Sequence, residues 1–203
     1  MGKTDKISAS EEMGRNQRAL IYDKSVELFE QKGFDNIKVS DICRAADISV
    51  GTFYYYFPSK ESIFLEYGNL ADEKMAEIYK NLADLPAKER LQRLIVEKIL
   101  FSTSAGPELC NVSLIACLKH HTDNGFDLHH SYYGLFSRTV EAGIREGSFR
   151  RDINLYDITS ALRYMIGGLV AHWAIIGGEQ FDIREEAEAL SNSFVRMLCR
   201  TEE

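Results

Sequence analysis

The 203-residue sequence predicts an all-α protein. Three observations predict it. Apolar residues recur at three- and four-residue intervals along most of the chain, no stretch alternates with the period of two that marks a half-buried strand, and glycine, proline and capping residues divide the periodic runs at helical lengths. About nine helices result. They group into an arm at 1–12, a three-helix unit at 13–60 and a larger helical unit at 61–203.

Residues 1–12 mix charge with Ser and Ala without periodicity and are expected to form a mobile arm. Helix one should run from Met13 to Lys32, burying Ile21, Ser25, Leu28 and Phe29, with Gly33 as its stop and Phe34 packing back. Val39, Ile42, Cys43 and Ala46 then fall at i, i+3, i+4 and i+7, one side of a second helix. Asp47 breaks the pattern. Aspartate tolerates left-handed backbone angles, so the chain can turn sharply before Ser49 caps a third helix. In that helix Phe53 and Phe57 point inward while Gly51, Thr52 and Tyr55 project on roughly the opposite side. Small residues ahead of large ones let a helix start enter a major groove of about 12 Å, so this is the layout of a DNA-reading helix-turn-helix. Pro58 stops the helix, Ser59 can cap the next, and Lys60 can offer its ammonium to a phosphate beside that helix's amino end.

A long connecting helix is expected from Ser59 to about Leu82, acting as a lever between the units. Asp84-Leu85-Pro86 breaks the chain before an amphipathic helix that carries Leu91, Leu94, Ile95, Ile99 and Leu100 and ends near Thr103. A helix follows Gly106-Pro107, and another runs from Phe126 to Glu146 before Gly147. Asn154 and Asp157 cap the next, which Gly177-Gly178 ends, and Asp182 and Glu185 start the last.

Net charge is -7, and its distribution matters more than its sign. Residues 1–60 hold nine basic and nine acidic side chains, leaving fifteen against twenty-two in the rest. A neutral reader implies modest nonspecific DNA affinity with local anchoring by Arg15, Arg18 and Lys60. No apolar run reaches the roughly eighteen residues that cross a bilayer, and MGKTDKISASEE lacks the apolar core of a signal peptide, so a cytoplasmic protein is expected. No GxSxG elbow, phosphate-cradling glycine loop or HExxH helix is present, which argues against an enzyme, and no cofactor is implied. The cysteines, Cys43, Cys110, Cys117 and Cys199, form no CxxC pair and read as small hydrophobes.

The residues Leu28-Phe29, Gly33-Phe34, Val39-Ser40-Asp41-Ile42, Gly51-Thr52-Phe53-Tyr54 and Tyr56-Phe57-Pro58-Ser59-Lys60-Glu61 together resemble the TetR family of transcriptional repressors. The resemblance implies that Ser40, Val50, Gly51, Thr52, Tyr54, Tyr56 and Lys60 face DNA, and the outward placement of Tyr55 adds it to them. Val50 and Tyr54 suit thymine methyls, Thr52 and Tyr55 hydrogen bonds to bases or phosphates, and Ser40, Tyr56 and Lys60 the backbone. Two positions depart from the family: Ser40 stands where it often has Arg, and Lys38 where it has a Thr cap. The recognition helix carries no Arg, Asn or Gln whose bidentate pairing would name a base.

The resemblance also implies a homodimer joined through the last two helices, for which Leu162, Ile166, Leu169, Val170, Leu190, Phe194 and Leu198 are the candidate residues. Two readers about one helical turn apart, roughly 34–36 Å, call for a palindromic operator. A small-molecule effector that lowers DNA affinity is implied as well. Its candidate lining is Phe101, Cys117, His121, Tyr132, Tyr133, Phe136, Tyr164 and Trp173, a mixture of aromatics and a few polar groups that suits a mainly apolar pocket. Two alternatives stay open for the sensing half. Cys117, His120 and His121 at i, i+3 and i+4 could share a soft metal, or Cys110 and Cys117 could sense oxidants. A ligand-independent architectural DNA-binding protein would keep the reader and fill its core.

Overall fold

The computed structural model describes residues 4–120, 131–178, 180 and 182–199. Among these the chain forms nine α-helices and two 3-10 turns, and its one extended pairing is an isolated bridge between Phe149 and Cys199. The all-α expectation holds. The chain divides into two compact units, Met1–Glu66 and Tyr67–Glu203.

In the first unit α1 spans Thr4–Lys32, a 3-10 turn Phe34–Asn36, α2 Val39–Ala45, α3 Val50–Tyr56, and a second 3-10 turn Glu61–Glu66. Phe29, Phe34 and Phe64 meet with ring centroids 5.0 to 5.6 Å apart, and Ile21, Ile42, Phe53, Phe57 and Ile63 complete a fully buried core around them. Ser25 belongs to it because its hydroxyl donates back to Ile21 O at 2.6 Å. Gly33, at φ 77°, makes the expected stop.

Two expectations fail here. Residues 4–12, expected as an arm, continue α1. They lack apolar periodicity, but a helix nucleated by its buried turns extends cheaply through good formers such as Lys6, Ala9, Glu11 and Glu12. The connecting helix does not begin at Ser59 either. A 3-10 turn intervenes and α4 runs from Tyr67 to Asn81. Ser59 and Ser62 cause this locally: each hydroxyl accepts the other's backbone N–H at 3.2 Å, and Ser62 Oγ donates to Ser59 O at 2.6 Å, a three-residue spacing that favours the tighter turn.

In the second unit α5 (Ala87–Thr103) is the central element, packed by α4, α7 (Ser131–Glu146), α8 (Leu155–Ile175) and α9 (Ile183–Leu198), with α6 (Gly106–His120) against α8. Leu91, Leu94, Ile95 and Ile99 of α5 are fully buried. Phe149 lies against bare backbone on α7, where a Cβ on Gly143 would come within 2.2 Å of its ring. Caps fall where the sequence places them. Asn154 Oδ1 accepts from the Tyr156 and Asp157 N–H groups at 3.0 and 3.3 Å, and the Asp182 carboxylate accepts from Arg184 N at 2.8 Å.

Candidate DNA-reading surface and effector core

The helix-turn-helix is held by local chemistry. Lys38 offers no side-chain acceptor, so only the returning half of a capping box forms at the start of α2: its N–H donates to Asp41 Oδ2 at 3.0 Å. Asp47 sits at φ 53°, the one left-handed non-glycine among the described residues, and Ile48 N–H donates to Cys43 O at 3.0 Å to close the helix. Ser49 Oγ then accepts the Thr52 N–H at 3.0 Å and caps α3.

Phe53 and Phe57 anchor α3 inward with no exposed surface. The opposite side is left bare. Val50 is 48% exposed, Tyr54 51% and Tyr55 81%, with Gly51 and, on α2, Ser40 exposed beside them. Burying aromatic area is favourable, so a tyrosine four-fifths exposed contributes little to this unit's own packing. Gly51 argues the same way. A Cβ there would meet only Ser49 Oγ at 3.7 Å, ordinary contact, so nothing inside the unit demands glycine and its smooth surface faces outward.

Three expected DNA-facing residues have internal partners. The Thr52 hydroxyl lies 2.8 Å from Ser49 Oγ and belongs to the cap, and half-buried Tyr56 sets its ring edge-on to Tyr55 at 4.9 Å. Lys60 departs furthest from a phosphate anchor. Its ammonium turns inward, donating to Phe34 O at 2.7 Å and Ile37 O at 2.8 Å and lying 3.9 Å from the Phe34 ring centroid, so it ties down the turn between α1 and α2. Lys60 thus gives Ile37 O a donor and adds a second to Phe34 O, which also accepts the Ile37 N–H at 3.3 Å.

In the second unit Tyr132, Tyr133 and Phe136 are buried on α7, and Phe101 packs partly buried against the same core. Sequence reasoning missed the polar group beside them. Lys98 on α5 is 5% exposed, its Nζ 4.9 Å from the Tyr132 ring centroid and donating to Ser102 Oγ at 2.7 Å. Asp72 on α4 accepts the Tyr132 N–H at 2.9 Å, and Cys110 on α6 donates to Ser102 O at 3.3 Å. Three helices thus bring charge and hydrogen-bonding groups into one apolar core, and α6 adds Cys110 from the neighbouring cluster. Desolvation pushes the Lys98 ammonium down to about 8, opposed by the charges of Asp72 and Cys110. Burial pushes the Cys110 thiol up to about 11, with Lys98 opposing. A thiol that keeps its proton is a poor nucleophile, so Cys110 is ill suited to sensing oxidants. The signal for Lys98 was in the sequence: it stands four residues after Leu94 and seven after Leu91, on the stripe that faces the core.

Other candidates fall elsewhere. Tyr164 is 60% exposed on the far side of α8, its hydroxyl accepting from Arg163 Nη2 at 2.8 Å, because it is two residues from both Leu162 and Ile166, which face inward. Trp173 is buried in a separate cluster with Cys110 and Ala174. The Cys117 side chain and His121 lie outside the described residues, as does the Cys117, His120 and His121 metal reading. Among the described residues no group of three His, Cys, Asp or Glu is placed to hold a metal, and no helix is long and apolar enough to cross a membrane.

Four of the candidate dimer residues are corrected by their burial, while Leu169, Val170 and Leu190 are half-buried and keep part of their surface accessible. Leu162, Ile166, Phe194 and Leu198 lie in the protomer's own core, and Leu169, Val170 and Leu190 pack against it. The most apolar stripe of each helix faces its own chain, and apolar periodicity cannot tell an inner face from an outer one.

Two family models match the chain, together covering more than half of it. Residues 21–67 match the bacterial regulatory proteins of the tetR family, and residues 118–200 the C-terminal region of MAATS-type transcriptional repressors. The fatty acid metabolism regulator protein of Bacillus subtilis (strain 168) is 26% identical over 190 residues, covering 88% of this chain and 91% of that one. The HTH-type transcriptional repressor KstR2 of Rhodococcus jostii (strain RHA1) is 27% identical over 158 residues, covering 73% and 74%. Among solved structures, FadR of Thermus thermophilus in complex with lauroyl-CoA superposes with a TM-score of 0.69 at 23% identity over 91% of this chain and 97% of that one. FadR of Bacillus subtilis in complex with stearoyl-CoA gives 0.65 at 21% over 91% and 99%. At this identity the structures speak to the fold. With a reading helix bare on one side in the first unit and a repressor-type helical region in the second, the chain belongs to the TetR family and is a DNA-binding transcriptional repressor.

Proposed function

We propose that this repressor reads a palindromic operator as a homodimer and releases it on binding a long-chain acyl thioester of the acyl-CoA class. The bare face of α3 carries the DNA half of this reading. Val50, Gly51, Tyr54 and Tyr55 present methyl, backbone and phenol groups to the major groove, with Ser40 at the adjacent backbone.

The buried Lys98 beside Tyr132, Tyr133 and Phe136 supports the effector half. An apolar core suits an alkyl chain, and an ammonium with a hydroxyl beside it suits the carbonyl at its end. The acyl-CoA ligands of the two FadR structures and the fatty acid metabolism regulator at like length support the same class. An acyl chain entering between α7 and α4, which carries buried Ala71 and Met75, displaces α4 and with it the spacing of the two readers.

The dimer face in this reading is the stripe left exposed on α8, Ala161, Tyr164, Gly168, His172 and Ile175, with Ala189, Ser193 and Met197 on α9. Small residues there permit close helix approach.

Footprinting on DNA upstream of its own coding sequence, repeated with lauroyl-CoA, stearoyl-CoA and free coenzyme A, tests the proposal. Protection of a palindrome that the two thioesters abolish and free coenzyme A does not is the expected result. A palindrome protected equally under all conditions assigns the effector to another class.

A further inference from the structure

We infer that Phe149 is the floor of the effector site and sets the length of acyl chain to which the protein responds. The inference rests on the acyl-thioester reading proposed above and adds chain length to it. Three contacts fix how the helices around Lys98 run. Lys98 Nζ on α5 lies 4.9 Å from the Tyr132 ring centroid near the start of α7, while the Ala87 N–H at the start of α5 donates to Glu146 Oε2 at the end of α7 at 3.0 Å, so the two helices are antiparallel. The Tyr132 N–H donates to Asp72 Oδ1 at 2.9 Å, which brings α4 alongside at the same level. Asp72, Lys98 and Ser102 thus mark a polar end of the core.

Away from that end the walls are apolar. Leu94 and Leu91 stand one and two turns before Lys98 on its side of α5, Phe136 and Val140 one and two turns after Tyr132 on α7, and all four are buried in the same core as Phe149. An alkyl chain whose carbonyl is held at Lys98 is led down this column, because each methylene it buries adds to the hydrophobic gain. Phe149 closes the column. Its ring lies on bare α7 backbone, where a Cβ on Gly143 would collide with Cδ2 and Cε2. Its N–H donates to Gly143 O at 3.1 Å, and the next N–H, of Arg150, donates to Leu198 O at 2.9 Å, so its backbone is pinned to α7 and to the end of α9. A ring already pressed on a helix backbone and pinned on both sides cannot retreat before an incoming chain.

The depth of the column names the chain. Eleven residues separate Ala87 from Lys98 on one wall and Tyr132 from Gly143 on the other. At about 1.5 Å per residue each wall is about 16 Å long. An extended polypeptide covers about 3.5 Å in three backbone bonds, so a saturated chain advances roughly 1.2 Å per bond and about 12 to 14 carbons reach the floor. A lauroyl or myristoyl chain fills the column, and a stearoyl chain overruns it by about 4 Å.

The test uses the full-length protein and the coenzyme A thioesters of the even-numbered saturated acids from octanoyl to stearoyl, with Kd measured by isothermal titration calorimetry. In the parent, each added pair of carbons should tighten binding by on the order of tenfold as far as lauroyl or myristoyl, and the gain should stop there. Phe149→Leu should move that break to longer chains and Phe149→Ala further, so that stearoyl-CoA gains on the order of tenfold over lauroyl-CoA. Val140→Phe, which sets a ring one turn short of the floor, should move the break to shorter chains. Lys98→Met should weaken every thioester by a like factor and leave the break in place. Phe149→Leu and Val140→Phe decide if Phe149→Ala does not melt cooperatively. Tightening that continues unbroken to stearoyl-CoA in the parent, or a break at the same length in variants that melt cooperatively, overturns the floor while leaving the acyl-thioester effector standing. A parent protein that binds none of the thioesters overturns both.

Discussion

An ammonium 5% exposed among aromatic rings is costly, and Lys98 shows the cost in its proton affinity. Desolvation lowers its folded value from the ordinary 10.5 to about 8. Between those values the unfolded chain holds a proton that the folded chain has released, so stability gains with rising pH across that window. Below pH 8 both states are protonated and the fold carries the whole penalty, about 3 kcal/mol. Lys98→Met removes it. Thermal and urea unfolding at pH 7 should show a gain of about 1–3 kcal/mol, the lower figure allowing for the lost bond to Ser102, and a flatter stability profile between pH 8 and 10.5. The same variant should respond poorly to acyl thioesters, as expected of a group kept for binding at the expense of stability. Equal stability of variant and parent at pH 7 would show that the core solvates the ammonium better than its burial indicates.

The elements of the reading unit depend on caps more than on length. α3 has seven residues, too few to persist by propensity, so Ser49 Oγ on the Thr52 N–H and the buried Phe53 and Phe57 hold it. Ser49→Ala should cost about 1 kcal/mol in thermal unfolding, while Ser49→Asp, which keeps an acceptor, should cost little. If Ser49→Ala proves neutral, the aromatic anchors alone hold the helix. Features of this kind were legible in the sequence because their causes are local: Asp47 in its left-handed turn, Ser49, Asn154 and Asp182 as caps, Gly33 as a stop. The early start of α1 escaped because it rests on helix propagation, which leaves no apolar pattern. The turn before α4 escaped because Ser59 and Ser62 read equally well as caps for an α-helix. At the candidate site, exposure of Tyr55 followed from the spacing of Phe53 and Phe57, whereas the inward ammonium of Lys60 depends on carbonyls more than twenty residues earlier. Periodicity gives a side chain's face and not its distant partner.

At the scale of the whole molecule, the proposed function turns on two readers held at a fixed separation, and the outer stripe of α8 and α9 is the face on which the proposed dimer sets it. Gly168 stands in the middle of the α8 stripe, and a Cβ added there meets nothing within 4 Å of the protomer. The protomer therefore gives no reason for glycine at 168, and a long charged side chain can be placed there without disturbing its core. Two arginines brought together by a two-fold axis in an apolar interface would each lose water without gaining a partner. Gly168→Arg should accordingly sediment at half the parent mass at micromolar concentration, keep its helical circular dichroism, and lose the rise of melting temperature with concentration that a dimer shows. Its operator affinity should fall by on the order of a hundredfold or more, because the second half-site then binds a separate molecule and not a tethered one. A Gly168→Arg protein that remains dimeric with full operator affinity would move the interface away from this stripe.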